Sequence, residues 1–210
     1  MIPIEQLTEG IRHVVWDWNG TLIDDIDHVI HINEVLFNEF GLKPITKEQY
    51  RAAYCHPISK FYEDLGVKLT DEQFKVMSVR FHELYYDTLD EVKLFAEVEV
   101  ALQAVRDLGL KQSVLTAGHQ GDVLEVLNAR HLIKYFDGVY GLSDRYARTK
   151  LDRGRELLVD SGVPAEQTLL IGDSSHDYEV GTSLGMKVIL VTGGHESEYR
   201  LKQSGDVYLR

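Results

Sequence analysis

A single cysteine, Cys55, stands among 210 residues, so neither an internal disulfide nor a cysteine-caged metal site is available. Basic residues are scarce: 22 Lys and Arg face 34 Asp and Glu, for a formal net charge of -12. Duplex-binding surfaces displace counterions with many Lys and Arg, and only isolated basic pairs occur, so nucleic acid is excluded as a partner and any phosphate-bearing ligand is expected to be small. No run approaches the roughly 18 consecutive apolar residues of a membrane span. The opening MIPIEQLTEGIRHVV lacks a basic region followed by an apolar stretch, so a secretory signal is not expected and a reducing cytoplasm is the expected compartment. Repeats and low-complexity segments are also missing. With 44% hydrophobic and 27% charged residues, the composition is that of a folded globular chain.

Short apolar, β-branched runs at Val14 to Trp18, Gln112 to Thr116, Gly138 to Gly141, Thr168 to Gly172 and Lys187 to Thr192 read as strands. Helical periodicity fills most gaps between them. That alternation predicts an α/β fold with a doubly wound parallel sheet. Between Asp24 and Asp90 the pattern changes to helices alone. One apolar face runs from Ile26 to Phe40 and another from Phe74 to Thr88, while Thr46 with Gln49 and Thr70 with Gln73 have capping-box spacing. The expected organisation is therefore residues 1–23 and 91–210 as a core, with 24–90 an all-helical insert.

Open parallel sheets bind ligands beyond the carboxyl ends of their strands, where the strand order reverses. Four groups fall there. Asp17 and Asn19 lie in Asp17-Trp18-Asn19-Gly20-Thr21-Leu22 after the first strand; a carboxylate in that position can ligate a hard cation or attack phosphorus. Thr116, with Ala117 and Gly118, follows the second and offers a hydroxyl and amide donors to a phosphate. Lys150 precedes a helix and can offset charge on a carboxylate and a transferring group. Asp173 and Asp177, in Gly172-Asp173-Ser174-Ser175-His176-Asp177, follow the fourth strand. Oxygen ligands from two strand ends suit Mg2+.

These residues resemble the four motifs of the haloacid dehalogenase-like hydrolases, most of which are magnesium-dependent phosphatases. VVWDWNGTL matches the first motif, Thr116 the second, Lys150 the third and GDSSHD the fourth. IGDSSHDYEVGTSLGMKVILVTGG and HLIKYFDGVYG are similar to the phosphoglycolate-phosphatase-like branch, and residues 24–90 to its helical cap. The resemblance implies that Asp17 is the nucleophile forming a covalent aspartyl intermediate and that Thr116, Ala117, Gly118 and Lys150 hold the phosphoryl group. It further implies that Asp17, the backbone carbonyl of Asn19, Asp173 and Asp177 form a Mg2+ site. A small phosphorylated metabolite is the expected partner, and a monomer or homodimer the expected state.

Two departures stand out. Family phosphatases carry an acid two residues after the nucleophile, where this chain has Asn19, and a proline after the lysine, where it has Leu151. An amide cannot protonate a leaving alkoxide, a service worth roughly 10² to 10⁴ in rate. Several readings follow: a substrate with a good leaving group such as an acyl phosphate or anhydride, a substitute acid such as His119, His176 or a cap residue, carbon–phosphorus or carbon–halogen cleavage, or binding with little turnover. A receiver-like signalling domain is a further alternative, disfavoured by the order of its acids. Asp24, Asp25 and Asp27 with His28 and His31 read as the dipole-favoured start of a helix. Lys43, Lys47, Arg51, Lys60 and Lys68 read as solvated, and Gly193-Gly194-His195 as a loop.

Overall fold

The structure is a computed structural model that describes residues 4–142 and 149–208. Its centre is a six-stranded, wholly parallel sheet in the order β3-β2-β1-β4-β5-β6. The strands are β1 (His13–Trp16), β2 (Lys111–His119), β3 (Gly138–Leu142), β4 (Thr168–Gly172), β5 (Lys187–Val191) and β6 (Val207–Tyr208). All four residues of β1 and all five of β4 are buried, as expected for central strands covered on both faces. Helices α1 (Ile4–Leu7), α6 (Val98–Asp107), α7 (Gln120–Ala129), α8 (Lys150–Ser161), α9 (Ser175–Ser183) and α10 (Glu198–Ser204) accompany it. From β1 the chain builds outward through β2 to β3, then returns to the other side of β1 with β4. The reversal lies between β1 and β4, at the carboxyl ends that carry Asp17 and Asp173.

The expected doubly wound sheet is thus present, with differences at its ends. Pairing in β1 stops at Trp16, because the amide of Asp17 still donates to the carbonyl of Ile171 (2.9 Å) but the chain then folds into the Trp18–Ile23 turn. Strand β2 runs three residues past Thr116, with a register irregularity between Leu115 and His119, so Thr116, Ala117 and Gly118 sit on a bulged strand rather than in a loop. The short β6 has no apolar run to announce it.

Between β1 and α6 the described chain is helical: α2 (Ile26–Glu39), α3 (Lys47–Ala53), α4 (Ile58–Asp64) and α5 (Asp71–Asp87). Both capping boxes form, with Gln49 N–H donating to Thr46 Oγ1 (3.2 Å) and Gln73 N–H to Thr70 Oγ1 (3.3 Å). Helix α2 buries Ile26, Val29, Ile32, Asn33, Leu36 and Phe37, and packs on α5. No described helix is long and apolar enough to cross a membrane.

Candidate active site

The turn after β1 is compact because Gly20 has φ +68°, and a Cβ there would lie 2.3 Å from Asp173 Oδ2. Only glycine lets the β1 and β4 turns meet so closely. A Cβ at Gly194 would lie 2.2 Å from the same oxygen, so the loop after β5 closes on Asp173 as well. Asp173 is held by Thr21 Oγ1 (3.0 Å) and by the amide of His195 (2.6 Å).

Lys150, the first residue of α8, is buried and donates Nζ to both Asp17 Oδ1 and Asp177 Oδ1. Asp177 sits at the third position of α9, where its other oxygen accepts from the Ser174 hydroxyl (2.6 Å) and amide (3.1 Å) in a capping box. Ligand oxygens of Asp17, Asp173 and Asp177 lie within 4.8 Å of one another. Burial pushes Asp17 upward most; Lys150 opposes this, and Asp177 and Asp173 add to the rise. Asp173 is also raised, chiefly by burial. For Asp177 burial is outweighed by Lys150, and its carboxyl is held below the usual range. Close, buried carboxylates that lift one another's affinity for protons lack positive charge, and an all-oxygen donor set fits a hard divalent cation. Thr116 is buried beside them, and its Oγ1 accepts from the Gly118 amide (2.9 Å), which leaves the hydroxyl hydrogen to donate. Asp17, Asn19, Thr116, Ala117, Gly118, Lys150, Asp173 and Asp177 all line one cavity of about 730 Å³.

Two functional residues escaped the sequence reading. Asp25 is not a helix-dipole acid. It precedes α2 but makes no side-chain cap, and its fully buried carboxylate points back into the site. Its Oδ1 accepts from the Gly20 amide (2.9 Å) and His195 Nε2 (3.1 Å); its Oδ2 accepts from Asn19 Nδ2 (2.7 Å) and the Tyr85 hydroxyl (2.9 Å). Burial would raise Asp25, yet His195, Asn19 and Tyr85 bring it below the usual carboxylate range. His195 is not merely part of a loop. Burial would strip its proton, but Asp25 and then Asp173 and Asp17 lift it to about 9, so it is a cation at neutral pH. Its Nδ1 lies 3.0 Å from the Tyr50 hydroxyl, and the Tyr54 ring stacks on it at 5.1 Å. Arg51 likewise departs from expectation: it is half-buried and donates to the carbonyls of Gly194 (2.9 Å) and Gly193 (2.5 Å), tying α3 to this loop.

This network explains Asn19. Its Nδ2 donates to Asp25 and to the Tyr85 oxygen (2.8 Å), whose own hydrogen goes to Asp25. The amide can satisfy that pair only with nitrogen inward. Its Oδ1 then faces the β2 bulge, 3.8 Å from where a Cβ at Gly118 would be. A carboxylate at position 19 would confront Asp25 at hydrogen-bond distance. The negative charge absent from position 19 stands at position 25, where four donors saturate it. Asp25 is therefore no proton donor. His119 and His176, considered as substitutes, line the cavity, as does His56, which stacks on His176 at 4.5 Å. Burial lowers His176 and takes His56 down to about 3.

Comparison with known proteins places the chain among relatives of one family. The family model described as haloacid dehalogenase-like hydrolase matches residues 14–191. A phosphoglycolate phosphatase of Aquifex aeolicus is 26% identical over 196 residues, covering 88% of this chain and 86% of its own. A pyrophosphatase PpaX of Anoxybacillus flavithermus is 25% identical over 179 residues, covering 85% and 82%. Among solved structures, a predicted phosphatase from Clostridium acetobutylicum superposes with TM-score 0.82 at 23% identity, covering 95% of this chain and 93% of that one. A match across most of the sheet and every motif strand carries one conclusion: the chain belongs to the haloacid dehalogenase-like hydrolase family.

Proposed function

We propose that this protein is a magnesium-dependent phosphatase that transfers a phosphoryl group from a small phosphorylated metabolite to Asp17 and then hydrolyses the aspartyl phosphate. The observation that carries this reading is the convergence of Asp17, Lys150, Asp173 and Asp177 beside Thr116 at the strand-order reversal. Relatives named phosphatases and a pyrophosphatase support it.

An oxygen of Asp17 attacks phosphorus, a new O–P bond forms, and the bond from phosphorus to the leaving oxygen breaks with its electron pair on that oxygen. Lys150 holds Asp17 for attack and offsets charge on the phosphoryl group, to which the Thr116 hydroxyl donates. A water oxygen then attacks the same phosphorus, releasing inorganic phosphate and restoring Asp17, while the water's proton passes to solvent through the histidine-lined side of the cavity. Asp17, the Asn19 carbonyl, Asp173 and Asp177 would hold Mg2+, which when bound supplies the positive charge that the carboxylates lack. Residues 24–90 act as a cap over the core of 1–23 and 91–210, excluding bulk water.

Asn19 Oδ1 can orient a water by accepting its hydrogen but cannot take its proton or protonate a leaving group. Substrates whose leaving oxygen departs as a stable anion are favoured, namely acyl phosphates, anhydrides and aryl esters. The phosphonate-cleaving alternative needs a lysine in the cap; Lys43, Lys47, Lys60 and Lys68 do not line the cavity, and Lys75 of α5, which does, is exposed. The test is phosphate release with Mg2+ from acetyl phosphate, p-nitrophenyl phosphate and a simple alkyl phosphate. The native protein cleaves the first two, and Asp17→Asn abolishes this. Failure to release phosphate from any of them, with Mg2+ present, overturns the reading.

A further inference from the structure

The cavity is larger and more apolar than its reacting end requires. Its volume of about 730 Å³ lies well inside the roughly 300–1,000 Å³ of pockets that enclose drug-sized ligands, and a bare phosphate with a two-carbon body would leave most of it empty. Away from the sheet the wall is built by Val29, Phe61, Tyr62, Phe74, Phe81 and Tyr86. The rings contact one another at aromatic distances: Phe61 with Tyr62 at 5.1 Å, Tyr62 with Phe74 at 6.2 Å, and Phe81 lies parallel to Tyr85 at 5.9 Å. Flat apolar faces of this kind suit a ring.

Charge in that wall is nearly absent. Among the described residues, Lys75 is the one Lys or Arg that the helical insert adds to the lining; it is exposed, and Asp71, four residues earlier on α5, accompanies it. His56 carries no charge at neutral pH, because burial, with Lys150 nearby, holds it down to about 3. A substrate with a second anionic group would set it against aromatic carbons, with the exposed Lys75 the one cation that the helical insert brings to the lining. Asn33 adds a polar mark. Buried in α2 and lining the cavity, it donates Nδ2 to the Val29 carbonyl (2.9 Å), and its Oδ1 is buried with no partner. A buried acceptor left unpaired calls for a donor.

Resting on the phosphatase reading above, we infer that the cavity selects phosphomonoesters whose body is uncharged, aromatic and equipped with an N–H or O–H donor. It rejects small substrates that are anionic at both ends. An aryl ester satisfies the reacting end as well, since phenolate leaves without the protonation that Asn19 cannot give.

Binding to Asp17→Asn with Mg2+, measured by calorimetry, separates recognition from leaving-group chemistry. The probes are phenyl phosphate, 4-(hydroxymethyl)phenyl phosphate, phosphoglycolate and pyrophosphate. Both aryl esters are expected to bind at least tenfold more tightly than phosphoglycolate or pyrophosphate, and the hydroxymethyl compound several-fold more tightly than phenyl phosphate. Asn33→Leu should erase that last difference. Phosphoglycolate or pyrophosphate binding as tightly as the aryl esters overturns the inference, whatever the Asn33 variant does. Turnover by the native protein keeps the two claims apart. Acetyl phosphate cleaved in an Asp17-dependent manner, with no aryl preference in binding, removes only the substrate class. No phosphate released from any compound removes the phosphatase reading and this inference with it.

Discussion

The two walls of the cavity obey opposite rules. The sheet side gathers four buried carboxylates, Asp17, Asp25, Asp173 and Asp177, around two buried cations, Lys150 and His195. The helical side is aromatic, with its one lining lysine exposed at Lys75. Packing carboxylates so densely costs desolvation that only opposite charge and hydrogen bonds offset, so each acid there has assigned donors. The helical wall has no such constraint and needs only shape. Chemistry is thus concentrated where strand ends force side chains together, and selectivity where helices leave room.

Breaking the ionic wall should have the larger consequences. Asp17→Asn removes the nucleophile, and phosphate release should fall by roughly 10³-fold or more, read by steady-state assay on acetyl phosphate. Lys150→Met leaves Asp17 and Asp177 buried without their cation. Denaturant unfolding should show a loss of about 3–5 kcal/mol, and a loss under about 1 kcal/mol would mean that the pair is not desolvated as described. Mg2+ sharpens the same point. By relieving the crowding of Asp17, Asp173 and Asp177 it should raise stability by about 2.7 kcal/mol at a hundredfold excess over its dissociation constant. The effect should shrink in Asp173→Asn, and unchanged melting with Mg2+ would contradict the site. Tyr85→Phe, where the two walls meet, deletes one donor to Asp25 and the acceptor that fixes Asn19. A loss of about 1–2 kcal/mol is expected, with turnover reduced several-fold at nearly constant KM.

The residues legible in the sequence were those whose place a strand end dictates. Asp17, Thr116, Lys150, Asp173 and Asp177 each follow or end an apolar run or open a helix, so topology alone brings them together. Asp25 and His195 were hidden because their meaning is pairwise. An acid before a helix has an ordinary local explanation, and only the contact with Asn19, six residues earlier, and with His195, 170 residues later, cancels it. One signal was available: the acid absent at position 19 and the additional acid at position 25 are complementary. The bulge at Thr116 left no local trace, since extended backbone and bulge share the same apolar pattern. The helical insert showed its helices and capping boxes plainly, whereas which of its faces line the cavity depends on how α2, α4 and α5 pack.

The most direct test exchanges the two side chains at the centre of the account. Asn19→Asp, Asp25→Asn and the double variant are compared on a simple alkyl phosphate, with acetyl phosphate as the reference and folding verified by circular dichroism. The single Asn19→Asp variant should gain little, because its new carboxylate faces Asp25. The double variant, with one carboxylate at position 19 and a neutral partner at 25, should hydrolyse the alkyl ester roughly 10²-fold faster than the native protein. Equal gain in Asn19→Asp alone, or no gain in a folded double variant that still cleaves acetyl phosphate, would contradict the claim that the charge at position 25 is what keeps an amide at position 19.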